Sequence, residues 1–126
     1  MKVSDDQFEA MISRALDELP TEYVENLDNV AITYADQPTP EQRLKMKLKD
    51  DESLFGLYEG IPLPKRGAGY NLVLPDKITI FKHPMIELVH DQAQLYSQVK
   101  HTLWHEIAHF YGLDHDRIHD IEKHWQ

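Results

Sequence analysis

Apolar residues near the start of the chain recur at helical spacing. Within residues 4–20 they form one stripe, made of Phe8, Met11, Ile12, Ala15, Leu16 and Leu19. Spacings of three and four residues are typical of an amphipathic helix. Ser4 with Gln7 three residues later has the capping-box pattern that begins a helix, and Pro20 ends it. The pattern therefore predicts an N-terminal helix that buries one face.

Three short stretches in the middle of the chain are rich in β-branched and aromatic residues. They are residues 30–36 (VAITYAD), 54–60 (LFGLYEG) and 77–82 (KITIFK). Each stretch is bounded by turn-forming residues, so each predicts a strand. Gly56, inside the second stretch, indicates a bulge or a close backbone approach. His83 and Pro84 predict a turn after the third strand.

The segments between these strands are polar or rich in proline and glycine. Residues 21–29 predict a short helical turn, and residues 40–52 a short exposed helix or a loop whose acidic run, 50–52, is solvated. Residues 61–76 predict an irregular surface loop, because proline and glycine interrupt any regular pattern there.

The last third of the chain returns to helical spacing. Residues 91–111 carry an apolar stripe of Leu95, Val99, Leu103, Ile107 and Phe110, which predicts a long helix. A further helix is expected from Asp116, with Ile118, Ile121 and Trp125 as its apolar face. The sum is an α+β fold in one compact domain over residues 1–126. We expect about three strands in a small sheet, packed on the N-terminal helix and the long C-terminal helix.

Charge and cysteine content exclude several classes of function. The formal net charge of -9 argues against a nucleic-acid partner, because a phosphate backbone requires a basic surface. The absence of cysteine excludes disulfides and thiolate zinc sites, so a transition-metal site must use imidazole and carboxylate. The first ten residues do not resemble a signal peptide, and no apolar run is long enough to span a bilayer. We expect a cytoplasmic protein that does not associate with membranes.

Candidate chemistry is concentrated in residues 101–116, HTLWHEIAHFYGLDHD. His105 and His109 are four residues apart on the predicted helix, so both rings lie on one face and can share a zinc ion. Glu106, beside the first histidine, can hydrogen-bond a metal-activated water without being a ligand. This is the HExxH arrangement.

A catalytic zinc requires a third protein ligand, and His115 is the expected one. A continuous helix would place His115 roughly 9 Å beyond His109 along the axis, out of reach of the same ion. The helix must therefore end between them, and Gly112 can end it, because glycine adopts the left-handed conformation easily. Asp114 and Asp116 are alternatives to His115 as the third ligand. The site predicts one Zn²⁺ per chain.

This site predicts a zinc-dependent peptidase. Zinc polarises a substrate carbonyl and lowers the pKa of its bound water, while Glu106 acts as the general base and then passes the proton to the leaving amine. The expected partner is a peptide or protein substrate. His101, one turn before His105, is either a group that supports the metal ligands, a group that contacts the substrate or, as we expect, a solvent-exposed histidine. Tyr58 and Tyr70 are expected to pack rather than to stabilise an oxyanion.

The segment HEIAHFYGLDH resembles the HExxHxxGxxH pattern of the metzincin metallopeptidases. Together with LFGLYEGIPL and LPDKITIFKHPMIE upstream, residues 29–118 resemble the small bacterial minimal-zincin family of zinc metallopeptidases. The resemblance implies a compact zincin-like fold with the zinc helix beneath a small sheet. It also implies that an edge strand, for which LFGLYEG is the candidate, receives the substrate by strand addition.

Two features depart from these patterns. Metzincins place a methionine-bearing turn after the third ligand, whereas the eleven residues after His115 contain no methionine. Members of the small family often carry aspartate at the position of His115.

Two other functions are compatible with parts of the sequence. Bacterial rRNA-maturation endoribonucleases have a similar three-histidine motif, but with glycine where this chain has Glu106, and the net charge of -9 opposes RNA binding. The second alternative is an interaction domain in which zinc serves stability alone. In that case Glu106→Gln would leave every functional assay unchanged.

Overall fold

The computed structural model describes residues 1–49, 53–70 and 74–125. Within these ranges the helices are α1 (Asp5–Glu18), α2 (Thr21–Glu25), α3 (Pro40–Lys45), α4 (Lys82–Leu88), α5 (Gln92–Tyr111) and α6 (His115–Lys123). The strands are β1 (Val30–Ala35), β2 (Gly56–Glu59) and β3 (Asp76–Phe81), and a 3₁₀ helix spans Leu63–Lys65. None of the helices in this described part has the length and apolarity needed to cross a bilayer. The predicted α+β class is confirmed.

The three strands form one mixed sheet in the order β1-β3-β2. β3 lies in the centre, parallel to β1 and antiparallel to β2. Because it is hydrogen-bonded on both sides and covered by helices, β3 carries the fully buried residues Ile78, Ile80 and Phe81. β2 is an edge strand, and it packs against α5.

The core lies between the sheet, α1 and α5. α1 begins with the predicted capping box of Ser4 and Gln7 and buries Phe8, Ile12 and Ala15. α5 is 20 residues long and places Leu95, Val99, Leu103, Trp104 and Ile107 in the same core. These buried side chains hold α5 against the sheet.

Several predicted boundaries change in the structure. His83 and Pro84 lie in the first turn of α4 rather than in a turn, because proline is tolerated where no intrahelical N–H bond is required. α6 begins at His115, one residue earlier than expected, because the Asp114 side chain caps it. The acidic run 50–52 lies outside the described residues.

Candidate active site

One face of α5 carries a row of three imidazoles. His101, His105 and His109 follow one another at four-residue spacing, and the ring centres are 5.3 Å and 5.8 Å apart. Two imidazoles bound to one tetrahedral zinc have ring centres about 5 Å apart, given zinc–nitrogen bonds of about 2 Å. The predicted pair, His105 and His109, therefore lies at a separation that suits a shared ion.

Glu106 lies between the two predicted ligands and is 8% exposed. Its Oε1 accepts a hydrogen bond from Nδ1 of His109 at 3.2 Å, and this bond raises the pKa of His109. With Nδ1 occupied, Nε2 is the atom that His109 has left for a metal. Burial lowers the pKa of His105, and the neighbouring His101 lowers it further, so His105 stays neutral more readily, as a metal ligand must.

Helix α5 ends between His109 and His115, as the spacing of the motif requires. Gly112 has φ 70° and ψ 28°, the left-handed conformation. The N–H groups of Gly112 and Leu113 donate to the carbonyls of His109 and Ala108 at 3.0 and 3.1 Å, which forms a Schellman motif. A Cβ at position 112 would also lie 2.8 Å from Cγ of Pro64. Glycine is therefore required by both conformation and space, and the prediction of a helix stop at Gly112 is confirmed.

His115 is the first residue of α6 and is exposed. Among residues 1–49, 53–70 and 74–125, no three histidine, aspartate or glutamate side chains come together as a metal site. The charges that act on His105 come from His101, Glu106, His109 and Glu122. The choice of His115 as third ligand stays a prediction. Of its alternatives, Asp114 is engaged as a cap, accepting from the backbone N of Arg117 at 2.8 Å.

The path of α6 explains how the end of the chain approaches the histidine row. Nε1 of Trp104 donates to the carbonyl of Ile118 at 3.3 Å, and His101 contacts Glu122, so α6 runs antiparallel to α5. These two contacts place Ile118 beside Trp104 and Glu122 beside His101.

A groove of about 420 Å³ opens between α5 and the segment that leads into β2. It is lined by Ser53, Leu54, Phe55, Gly56, Gln98, His101, Thr102, His105 and Glu106. A Cβ on Gly56 would lie 2.6 Å from Cγ2 of Thr102 and 3.3 Å from Cγ of Glu106. The close approach predicted at Gly56 is confirmed, and it lets the edge strand lie directly against the helix beside Glu106.

The two tyrosines considered as oxyanion donors are engaged elsewhere. The Tyr58 hydroxyl donates to Asp76, and the Tyr70 hydroxyl accepts from Nδ2 of Asn29 at 3.2 Å. Glu122 is the residue that sequence reasoning missed. It lies outside the motif, and its signal in the sequence is that it follows His115 by seven residues, which places both on nearly the same side of α6.

Comparison with known proteins gives one family match for this chain. The family model described as zincin-like metallopeptidase matches residues 27–125, which include all three strands and the whole histidine motif. Among curated proteins, no sequence matches this chain.

Proposed function

The chain belongs to the zincin-like metallopeptidase family, and from that premise we propose that it is a zinc-dependent peptidase in which Glu106 is the general base. The observation that carries the proposal is the pair His105 and His109 on one face of α5, with the buried Glu106 beside them among the residues that line a groove. Peptide hydrolysis requires metal-binding imidazoles, a carboxylate that accepts a proton, and space for a substrate chain.

The donor set fits zinc in type, because imidazole and carboxylate are ligands that zinc accepts. His105 and His109 would hold the ion, His115 would be the third ligand, and the expected content is one zinc per chain. When bound, zinc supplies a Lewis acid that polarises the scissile carbonyl and makes a water molecule more acidic.

Glu106 moves the proton in this proposal. Its carboxylate is anchored by Nδ1 of His109 and faces the groove, so an oxygen is available to a water molecule beside the scissile carbonyl. As the water attacks, Glu106 accepts its proton, and the same carboxyl group then delivers the proton to the nitrogen of the leaving amine. Burial of Glu106 keeps bulk water from competing for that proton.

The substrate chain would lie along β2. This strand is at the edge of the sheet, and the segment leading into it forms the wall of the groove opposite His105. An extended peptide can pair with the free edge of a strand, which fixes its direction and brings one peptide bond over Glu106. The proposed substrate class is therefore an extended peptide or an unfolded protein segment.

Two features favour a peptidase over the alternative functions. An endoribonuclease of the related three-histidine type has no carboxylate at the position of Glu106, and a chain of net charge -9 repels a phosphate backbone. A zinc ion that served stability alone would not need a carboxylate beside an open groove.

Metal content and turnover test the proposal together. We expect about one zinc per chain in protein purified without a histidine tag, none in His109→Ala, and an unchanged content in His124→Ala, which removes an exposed histidine outside the site. With a randomised decapeptide library as substrate, Glu106→Gln should keep its zinc and lose about 10²- to 10⁴-fold in rate. Equal cleavage by wild type and Glu106→Gln would refute the assigned base, and cleavage by neither would favour an interaction domain.

The third ligand has a separate test. We expect His115→Ala to weaken zinc binding by more than the roughly 10- to 100-fold that loss of an outer-shell partner costs. Asp116→Asn, which changes a neighbouring exposed side chain, is the matched control. Unchanged zinc affinity in His115→Ala, with a loss in Asp116→Asn or Asp114→Asn, would move the assignment to that aspartate.

A further inference from the structure

Glu122 is a buried carboxylate that the proposed chemistry does not use. It is 6% exposed and lies in the last turns of α6. Its Oε1 contacts Nδ1 of His101, and its Oε2 lies 3.9 Å from Nδ1 of His119. A buried carboxylate requires a hydrogen-bonding partner, and the closer of the two is His101. Glu122 therefore holds the His101 ring in one orientation on α5.

The His101 ring separates this carboxylate from the groove. His101 lines the groove that contains His105 and Glu106, and it also lines an adjoining depression of about 620 Å³ toward the start of α5. Glu122 lines neither space. Since Nδ1 is held by Glu122, Nε2 is the ring nitrogen left for a ligand in the groove. Nε2 of His101 has no hydrogen-bond partner within the described part of the chain.

The position of His101 along α5 determines which residue of a bound peptide it can contact. It precedes His105 by one helical turn, about 6 Å along the axis. An extended peptide advances about 3.3 Å per residue, so this distance corresponds to about two substrate residues. A peptide that lies along β2 with its scissile bond near His105 would therefore pass His101 about two residues away.

We propose that His101 is a substrate-binding residue, oriented by Glu122, whose Nε2 hydrogen-bonds a main-chain peptide group about two residues from the scissile bond. The inference rests on the proposed function, because it assumes a peptide in the groove. A peptide group offers both an N–H and a carbonyl oxygen, so it can pair with an imidazole nitrogen whether that nitrogen accepts or donates. Glu122 touches no substrate and is a positioning residue.

The sharpest variant is His101→Asn. The Asn amide nitrogen superimposes on Nδ1 of histidine, so the bond to Glu122 is retained and its burial stays compensated, while the Nε2 end of the ring is deleted. His119→Ala is the matched control, because His119 also neighbours Glu122 but does not line the groove. For Glu122 the pair is Glu122→Gln, which keeps an acceptor for Nδ1–H, and Glu122→Ala, which releases the ring.

Binding is measured without turnover, so that the result does not depend on catalysis. The zinc-loaded Glu106→Gln protein is immobilised, and a randomised decapeptide library is applied and quantified by mass spectrometry. We expect about fivefold lower retention after adding His101→Asn or Glu122→Ala, as loss of one hydrogen bond predicts, and nearly full retention after adding Glu122→Gln or His119→Ala. Equal retention by all five proteins would overturn the inference.

Kinetics separate failure of this inference from failure of the proposed function. For the best-cleaved decapeptide, His101→Asn should raise KM about fivefold and leave kcat within about twofold, because the contact is distant from the reacting atoms. A peptide truncated by the residues that reach His101 should show no such difference. If wild type cleaves nothing, the peptidase proposal fails while the retention experiment still decides the role of His101. A fall in kcat at unchanged KM would contradict a binding role.

Discussion

Two carboxylates of this small domain are almost equally buried but have different surroundings. Asp76 is 5% exposed and Glu122 is 6% exposed. Nη2 of Arg66 lies 2.7 Å from Oδ2 of Asp76, and the Arg66 side chain is itself 5% exposed. The partner of Glu122 is His101, whose side chain is 45% exposed. The Asp76–Arg66 ion pair is closed to solvent, whereas the contact of Glu122 ends in an imidazole ring that lines a groove.

The Asp76 cluster fastens the segment after β2 onto the fold. Besides binding Asp76, Arg66 donates to the carbonyls of Ile61 and Asp28 at 2.9 and 3.0 Å, and its guanidinium lies over Phe110 at 5.0 Å. Burial alone would raise the pKa of Asp76, but hydrogen bonds from Tyr58 and Arg66 outweigh it and hold that pKa below the usual range. Every charged or polar group of the cluster has a partner, so the cluster serves stability.

The Glu122 cluster is open on one side. The carboxylate is enclosed between α5 and α6, but the imidazole it holds still has a nitrogen to offer. The comparison teaches that burial of a charged group does not by itself identify a functional residue. The exposure of its partner, and the space that the partner faces, distinguish a structural ion pair from one that prepares a binding site.

The largest expected effect tests the closed cluster. Arg66→Ala leaves Asp76 buried without its cation, so we expect the free energy of unfolding to fall by about 3–5 kcal/mol. His101→Asn, at the open cluster, should cost less than about 1 kcal/mol because its bond to Glu122 is retained. Urea unfolding measures both, with Lys65→Ala as the exposed control, expected within about 0.5 kcal/mol of wild type. Equal losses at the two clusters would remove the distinction between them.

Substitutions at three glycines are expected to have effects of intermediate size. A Cβ on Gly60, where φ is 153°, would lie 2.1 Å from Cγ of Asp76, whereas Gly67 has nothing within 4 Å. We expect Gly60→Ala to cost about 1–3 kcal/mol in unfolding free energy and Gly67→Ala to cost little. Gly56→Ala would press on Thr102 and Glu106 in the groove, so it should reduce peptide cleavage more than stability. Unfolding curves and cleavage rates of the three variants test these expectations. If Gly56→Ala lowered the unfolding free energy without lowering the cleavage rate, the role given to the groove would be contradicted.

The smallest expected effect is the change in the free energy of unfolding with pH. Because the pKa of Asp76 is lower in the folded than in the unfolded chain, its contribution is complete above its unfolded value of about 3.9. That contribution is lost as the pH falls through the lower, folded value. We therefore expect Asp76→Asn to be less stable than wild type at neutral pH, with the difference shrinking below about pH 4. Urea unfolding from pH 7 to pH 3 measures it, with Asp116→Asn as the control, and a constant difference would show that the cluster acts through packing alone.

Local patterns in the sequence were sufficient to predict the main helices and strands and to place the histidine motif on a helix. The capping box of Ser4 and Gln7, the stop at Gly112 and the close approach at Gly56 were each predicted and are confirmed. These features depend on contacts or conformations within a few residues, or on the absence of a Cβ, so neighbouring residues suffice to indicate them. The turn expected at His83 and Pro84 was wrong, because proline also suits the first turn of a helix.

The tertiary structure decided which residues that are distant in sequence contact one another. The sequence by itself determined that His105, Glu106 and His109 lie together on one helix, because four-residue spacing brings side chains to one face whatever the fold. It gave no means of pairing His101 with Glu122, 21 residues later, or of burying Arg66 against Asp76. Those contacts depend on how α6 returns along α5 and on how the segment after β2 crosses the sheet. Packing of whole elements fixes these paths, and no local pattern encodes them.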